Sequence, residues 1–441
     1  MTAFDLPVWI VYGYLFVLGA VVGSFLNVCI YRIPQHDKLW ASLKGLAGSP
    51  SACPRCRSQI RWKDNVPILG WLKLGGRCRD CRMWISPRYP AIELLNGLLW
   101  VALYWLEVPH AWGTTIQDSG VYAPDGPQGI IGSAWLSPDA VVHWRYFYHL
   151  VLAEALLVAT FIDFDLWIIP DGVTLPAMAV GLIGSLLGQV YLVPVWFQSP
   201  RLIHDIQIVR DVEPSWAWMF PEWLDPLLSG PALPEWIIAH PHVHGLVTSI
   251  VGLLVGGGVV WAMRIIGHTV LRREAMGFGD VVLMAMVGSF LGWQPTVMAF
   301  FLAPLFACVV VLMLAFSGWR REIPYGPYLS MGTLAVLFGW KFVWPPFERV
   351  FSIGVLIVPI AVMMAVGMFS LLVLIQGIKW VLGYELVPSE SAGEWSGADQ
   401  NQFQDGEKND LQWGQWRGPQ WPGILSGRGQ IHTNRWRHPP L

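Results

Sequence analysis

The sequence predicts an all-α polytopic membrane protein, with about eight to nine transmembrane helices and a small cytoplasmic zinc-binding loop domain. Three observations lead there. Of 441 residues, 54% are hydrophobic and only 13% charged, against about 25% charged in ordinary soluble domains. Apolar stretches of near-spanning length recur between short polar ones, and mean hydropathy is +0.47 even with those loops averaged in. Finally, the charges are unevenly placed: residues 31–90 carry 12 of the 28 Lys and Arg against three acids, Asp37, Asp64 and Asp80. The net charge of −2 gives no overall electrostatic reason to expect nucleic acid as a partner; the partner that composition does imply is the lipid bilayer.

The elements follow in order. Residues 1–30 contain a first span, 8–30, with neither the basic start nor the small-residue cleavage site of a signal peptide, so it is expected to be retained. The basic stretch 31–90 is cytoplasmic by the positive-inside rule, which puts the N-terminus outside. From there 91–106 runs outward, 107–145 is an external loop, 146–162 returns, 172–193 goes out, 194–244 is a second external loop rich in Trp and Pro, and 245–266 goes in. Four further spans, 281–292, 296–316, 329–344 and about 354–382, complete a walk that leaves Arg272, Arg273, Arg320 and Arg321 inside. As domains, this gives the first helix, the basic loop, a membrane core over 91–350, an additional helix at 351–383 and a polar tail at 384–441. That tail is rich in Gly, Gln and Trp without a periodic apolar face, the composition of a disordered segment.

Four of the six cysteines fall in the basic loop as CPRC (Cys53, Cys56) and CRDC (Cys78, Cys81). Paired thiolates on two tight turns make a tetrahedral Zn²⁺ site, and four protein ligands leave no open position for water, so the metal is expected to be structural. The alternative, two disulfides, runs against the reducing cytoplasm. Cys29 and Cys308 lie in apolar spans and read as small core residues.

Charges at the ends of membrane helices are costly and point to function. Two clusters stand out: IDFDLWIIPD, with Asp163, Asp165 and Asp171, and GFGD, with Asp280. The topology above puts both at the cytoplasmic edge. Two carboxylates brought close cannot both ionise cheaply and share a proton, so one acts as general base on water while the other polarises a scissile carbonyl. Each cluster also has a plain explanation as a helix cap. Two other classes stay open on these residues: an ion- or proton-coupled transporter using the edge carboxylates, and a membrane-tethered binding module built on the cysteine loop.

The residues resemble the type IV prepilin peptidases, bifunctional leader peptidase and N-methyltransferases with a GxGD-type aspartate. GSFLNVCIYRIP (23–34) is similar to the family's N-terminal signature, followed by the two Cys pairs, SPRYPAIELLNG (86–97), IDFDLWIIPDGVTLP (162–176), MGFGDVVLMAMVGSFLG (276–292) and IPYGPYLSMG (323–332). The resemblance implies that Asp163 and Asp280 are the catalytic pair, with Asp171 the fallback for Asp163. It implies cleavage of the basic leader of prepilins or pseudopilins on the cytoplasmic side of a bacterial inner membrane, and methylation of the new N-terminus with S-adenosylmethionine as donor. The chain departs from the family pattern at Val282, where Lys is common, in its enlarged external loops, and in the additional helix and tail.

Overall fold

A computed structural model describes residues 7–36, 39–46, 50–53, 56, 58–108, 138–188, 190–199, 202–212, 221–228, 234–271, 276–316, 323–382, 408–410 and 415–417. Helices make up almost all of it: α1 (Val8–Arg32), α2 (Leu39–Leu46), α3 (Leu69–Lys73), α4 (Arg88–Glu107), α5 (Pro138–Leu166), α6 (Asp171–Gly184), α7 (Leu202–Val212), α8 (Asp225–Leu228), α9 (Glu235–Ala239), α10 (Pro241–Leu271), α11 (Phe278–Leu291), α12 (Trp293–Phe316), α13 (Gly326–Phe338), α14 (Trp340–Phe351) and α15 (Ile357–Val381). Two short strands, β1 (Lys408–Asp410) and β2 (Gln415–Arg417), pair antiparallel. The remainder of the tail expected to be disordered lies outside the described residues.

Six described helices, those within Val8–Gln35, Arg88–Glu107, Ala140–Leu166, Pro241–Val270, Trp293–Leu314 and Gly354–Lys379, are long and apolar enough to cross a bilayer. This is a multi-pass membrane protein. Three further apolar helices are shorter, Asp171–Leu187, Phe278–Leu291 and Gly326–Phe338. Two expected runs are broken rather than continuous. The run 172–193 is helical only to Leu187, where Gly188 turns the chain with φ 105°. The run 329–344 is interrupted at Gly339, where α13 ends and α14 begins. Hydropathy reads through such breaks because it measures side-chain polarity and not backbone direction. In the basic stretch each Cys pair has its own β-bridged turn, and the residues between them form a 3-10 turn, Trp62–Asp64, followed by α3.

The core is built around α5 and α11, whose inner residues Leu152, Leu156, Ile162, Leu283, Met286 and Phe290 are buried. α4 and α5 run antiparallel and are joined by three polar rungs. At one end Arg88 pairs with Asp165 at 2.7 Å. In the middle Trp100 Nε1 donates to Glu154 at 2.8 Å, and the Asn96 amide donates to the Gly19 carbonyl of α1 at 2.8 Å. At the far end Glu107 holds His149 Nδ1 at 2.5 Å and faces Arg145 Nε at 3.5 Å, all three side chains fully buried. In hydrocarbon an unpartnered charge is expensive, so such rungs hold helices that dispersion alone would let slide.

α10 and α11 approach until their backbones touch. A Cβ at Gly252 would strike the Gly288 carbonyl, one at Gly288 the Gly252 carbonyl, and one at Gly256 the Met284 carbonyl. This is small-residue packing at i, i+4. Gly288→Ala is therefore expected to cost about 1–3 kcal/mol by overpacking. Gly258, with nothing within 4 Å of a built Cβ, is the control. Thermal unfolding in detergent checks both; a Gly288→Ala midpoint equal to that of Gly258→Ala contradicts the close approach.

Candidate functional site

The four loop cysteines converge. Cys53 Sγ lies 3.7 Å from Cys81 Sγ, and Cys56 Sγ 3.9 Å from Cys78 Sγ. All four sulfurs sit within 4.8 Å of one another, and all are free thiols. A tetrahedral Zn²⁺ with Zn–S bonds of about 2.3 Å demands S···S edges of about 3.8 Å, so the donor set fits a metal of that kind. The two turns are built alike: the Cys53 amide donates to the Ser58 carbonyl at 3.0 Å, and the Cys78 amide to the Met83 carbonyl at 2.7 Å. Arg82, next to the second pair, has φ 57° and donates its amide to the Cys78 carbonyl. Hydrogen bonds from the Ser58 hydroxyl and amide pull the Cys56 thiol down to about 6, favouring the thiolate, the form that binds metal. Arg79 grips Asp64 through both carboxylate oxygens and ties the second turn to the 3-10 segment. Trp71, donating to the Ile85 carbonyl at 2.9 Å and edge-on to Trp84, is its small core.

This unit leaves α1 and enters α4, and Glu93 of α4 reaches back to it. Its Oε2 accepts the Ile68 amide at 2.7 Å, at a residue with φ 60°, and it also meets the Ser24 hydroxyl.

The aspartates lie at the same end of the bundle, next to the start of α4. Asp163, Asp165 and Asp280 are 4%, 3% and 7% exposed. Asp163 sits near the end of α5, and its carboxylate accepts the Gly326 amide at the first residue of α13. A Cβ at Gly326 would strike that carboxylate and Ile169, and a Cβ at Gly279 would also meet Ile169. Asp280 is the third residue of α11 and accepts the amide of Gly277, the N-cap, which is half of a capping box. The Asp163 and Asp280 charges interact, and the Tyr325 ring is close enough to feel Asp280. Two carboxylates from segments remote in sequence are thus buried within electrostatic range of one another, each against a helix N-terminus where backbone N–H groups favour negative charge.

The chain reverses just beyond Asp163. Trp167, with φ 61°, donates its amide to the Asp163 carbonyl at 2.9 Å, a strained conformation for a bulky residue. Ile168 and Ile169 follow, then Pro170 as the N-cap of α6. Asp171, exposed at the first position of α6, complements that helix dipole and is not buried with Asp163 and Asp280. Asp165 is held by both oxygens to Arg88 NH1 at 2.7 Å.

Sequence reasoning singled out the aspartates and cysteines but not Arg88, Glu93, Glu107, Arg145, His149 or Glu154. The available signal was polarity inside or bordering an apolar run: Glu93, His149 and Glu154 lie within expected spans, and Arg88, Glu107 and Arg145 border them.

Fold and site together define a multi-pass helical membrane protein with a thiolate cluster and a buried carboxylate pair at one end of its bundle. Residues 17–106 match the family model for the bacterial peptidase A24 N-terminal domain, and residues 231–313 that of the type IV leader peptidase family. The four cysteines lie in the first match and Asp280 in the second; Asp163 lies between them. Among curated relatives, the prepilin leader peptidase/N-methyltransferase of Aeromonas hydrophila is 28% identical over 76% of this chain and 93% of its own length. The type 4 prepilin-like proteins leader peptide-processing enzyme of Escherichia coli O78:H11 is 29% identical over 73% and 91%, and the prepilin leader peptidase/N-methyltransferase of Myxococcus xanthus 30% identical over 69% and 64%. No solved structure matches the chain. The chain belongs to the type IV leader peptidase family.

Proposed function

We propose that this protein is a membrane-embedded aspartic endopeptidase that removes the leader of type IV prepilins or pseudopilins and N-methylates the new N-terminus. The observation that carries the hydrolytic half is the burial of Asp163 and Asp280 within electrostatic range of one another. With one proton between them, the ionised carboxylate takes a proton from water as the water attacks the scissile carbonyl, and the protonated one donates to the carbonyl oxygen. Collapse of the tetrahedral intermediate passes a proton to the leaving amine and breaks the C–N bond. The Gly326 and Gly277 amides hold each carboxylate in place, so little reorganisation accompanies the step. Family membership favours this reading over the transporter and binding-module alternatives.

Cys53, Cys56, Cys78 and Cys81 would hold Zn²⁺ as a closed structural site, and that metal shapes the loop. The methyltransferase half of the relatives' name implies S-adenosylmethionine as the methyl donor; no residue of this chain is assigned to it. The three short apolar helices complete nine passes alongside the six long ones. At about 1.5 Å per residue, α11's 14 residues reach about 21 Å, short of a hydrocarbon core of about 30 Å. Such a helix leaves at least one of its ends within the membrane profile. The basic loop orients this end to the cytoplasmic side of the inner membrane.

Co-expression with a type IV prepilin, followed by mass spectrometry of the pilin N-terminus, tests both activities. A shortened chain carrying an added methyl group is expected; a prepilin that keeps its leader overturns the reading.

A further inference from the structure

The Arg88 guanidinium makes contacts on both sides of Asp163 in the chain. NH1 meets both oxygens of Asp165 at 2.7 Å, NH2 donates to the Phe161 carbonyl at 3.1 Å, and the group lies 4.9 Å from the centre of the Phe161 ring. Asp163 sits between these two residues, on the turn that ends in the strained Trp167. Arg88 is itself the first residue of α4, and Glu93 on the next turn of that helix holds the Ile68 amide of the cysteine unit. The α5 turn bearing Asp163 is thereby fastened to a helix start that is fastened in turn to the thiolate cluster.

We propose that Arg88 is a positioning residue for leader cleavage, orienting the end of α5 so that the Asp163 carboxylate faces Asp280. The proposal rests on the peptidase reading above. Two features separate this role from simple bracing. The α4–α5 pair already has two other polar rungs, at Glu154 and at Glu107, so a third is not needed to hold the helices together. A buried ion pair is also poor evidence for stability, because desolvation offsets its attraction, whereas its geometry is demanding. The arrangement calls for arginine: a planar fork can bind a carboxylate and a backbone carbonyl at fixed angles, and a lysine ammonium cannot.

The test uses the full chain in detergent with a purified type IV prepilin. Wild type, Asp163→Asn, Arg88→Lys and Asp165→Asn are compared by kcat and KM per folded molecule, with folded fraction and metal content measured in parallel. Arg88→Lys is expected to lower kcat roughly ten- to hundredfold with KM unchanged, the scale on which small misplacement of a reacting group acts. Asp165→Asn, which removes the other half of the clamp, is expected to follow the same pattern and serves alone if Arg88→Lys folds poorly. Wild-type kcat in the folded variants overturns the role, as does a raised KM at unchanged kcat or a loss that merely tracks folded fraction. A wild-type protein that cleaves nothing overturns the peptidase reading, and this role with it.

Discussion

Asp163→Asn and Asp280→Asn are each expected to slow leader cleavage by about 10³-fold or more, within the range lost when a positioned acid or base is removed. Asparagine keeps the size of the side chain and an oxygen that can still accept the Gly326 or Gly277 amide, so both variants should insert and fold. What disappears is the shared proton. An amide neither takes a proton from water nor gives one to the carbonyl oxygen, and the remaining carboxylate cannot do both. The two effects should therefore not add: the double variant is expected to be no slower than either single one, since removing one member already dismantles the pair. Asp171→Asn, exposed at the start of α6, is expected to cleave at close to the wild-type rate. Cleavage of a purified prepilin, with thermal unfolding as the folding control, decides it. Wild-type rates from either Asp163→Asn or Asp280→Asn would remove that residue from the mechanism.

Cys53→Ser and Cys78→Ser are each expected to release the metal and unfold the loop between α1 and α4. Structural zinc contributes on the order of 10–16 kcal/mol of apparent binding energy to small thiolate units, and this unit has little else. Around Trp71 and Gly76, the residues Trp62, Leu69 and Leu72 are exposed, so the unit has too little buried apolar surface to hold its shape alone. Metal analysis should find about one zinc per wild-type chain and a deficit in both variants. Limited proteolysis should cut the variants between the Cys pairs while leaving the membrane helices protected. Wild-type protein without metal, or with the four thiols blocked as two disulfides, would contradict the assignment. Because Glu93 ties this loop to α4, cleavage is expected to slow in the variants without reaching the level of the aspartate substitutions.

Which features were legible in the sequence follows from the range of the interaction behind each one. Apolar run length is a local property, and α1, α4, α10 and α12 lie where hydropathy puts them. α5 starts earlier than expected, at Pro138 rather than 146, because its first turns carry His143 and Arg145, which lower the local hydropathy; across the helix pair Arg145 faces Glu107 and the His143 ring lies against Tyr104. The breaks at Gly188 and Gly339 were invisible because an apolar residue looks the same in a helix and in a turn. The CPRC and CRDC pairs were legible because ligand spacing within each turn is local, while the 3.7 Å and 3.9 Å approaches across the two turns depend on the intervening 3-10 segment and α3.

By itself the sequence determined that this chain lives in a membrane, which loop carries the positive charge, and which carboxylates and thiols were worth asking about. Those conclusions need only composition and short spacings, where one residue's chemistry suffices. The tertiary structure alone decided that Asp163 and Asp280 are buried within range of one another, that Asp165 belongs to Arg88 and that Asp171 faces outward. Each of these is a relation between two bodies. A carboxylate's role is set by whether an amide, a guanidinium or a second carboxylate stands beside it in a medium of low dielectric, and no one-dimensional pattern records that neighbour.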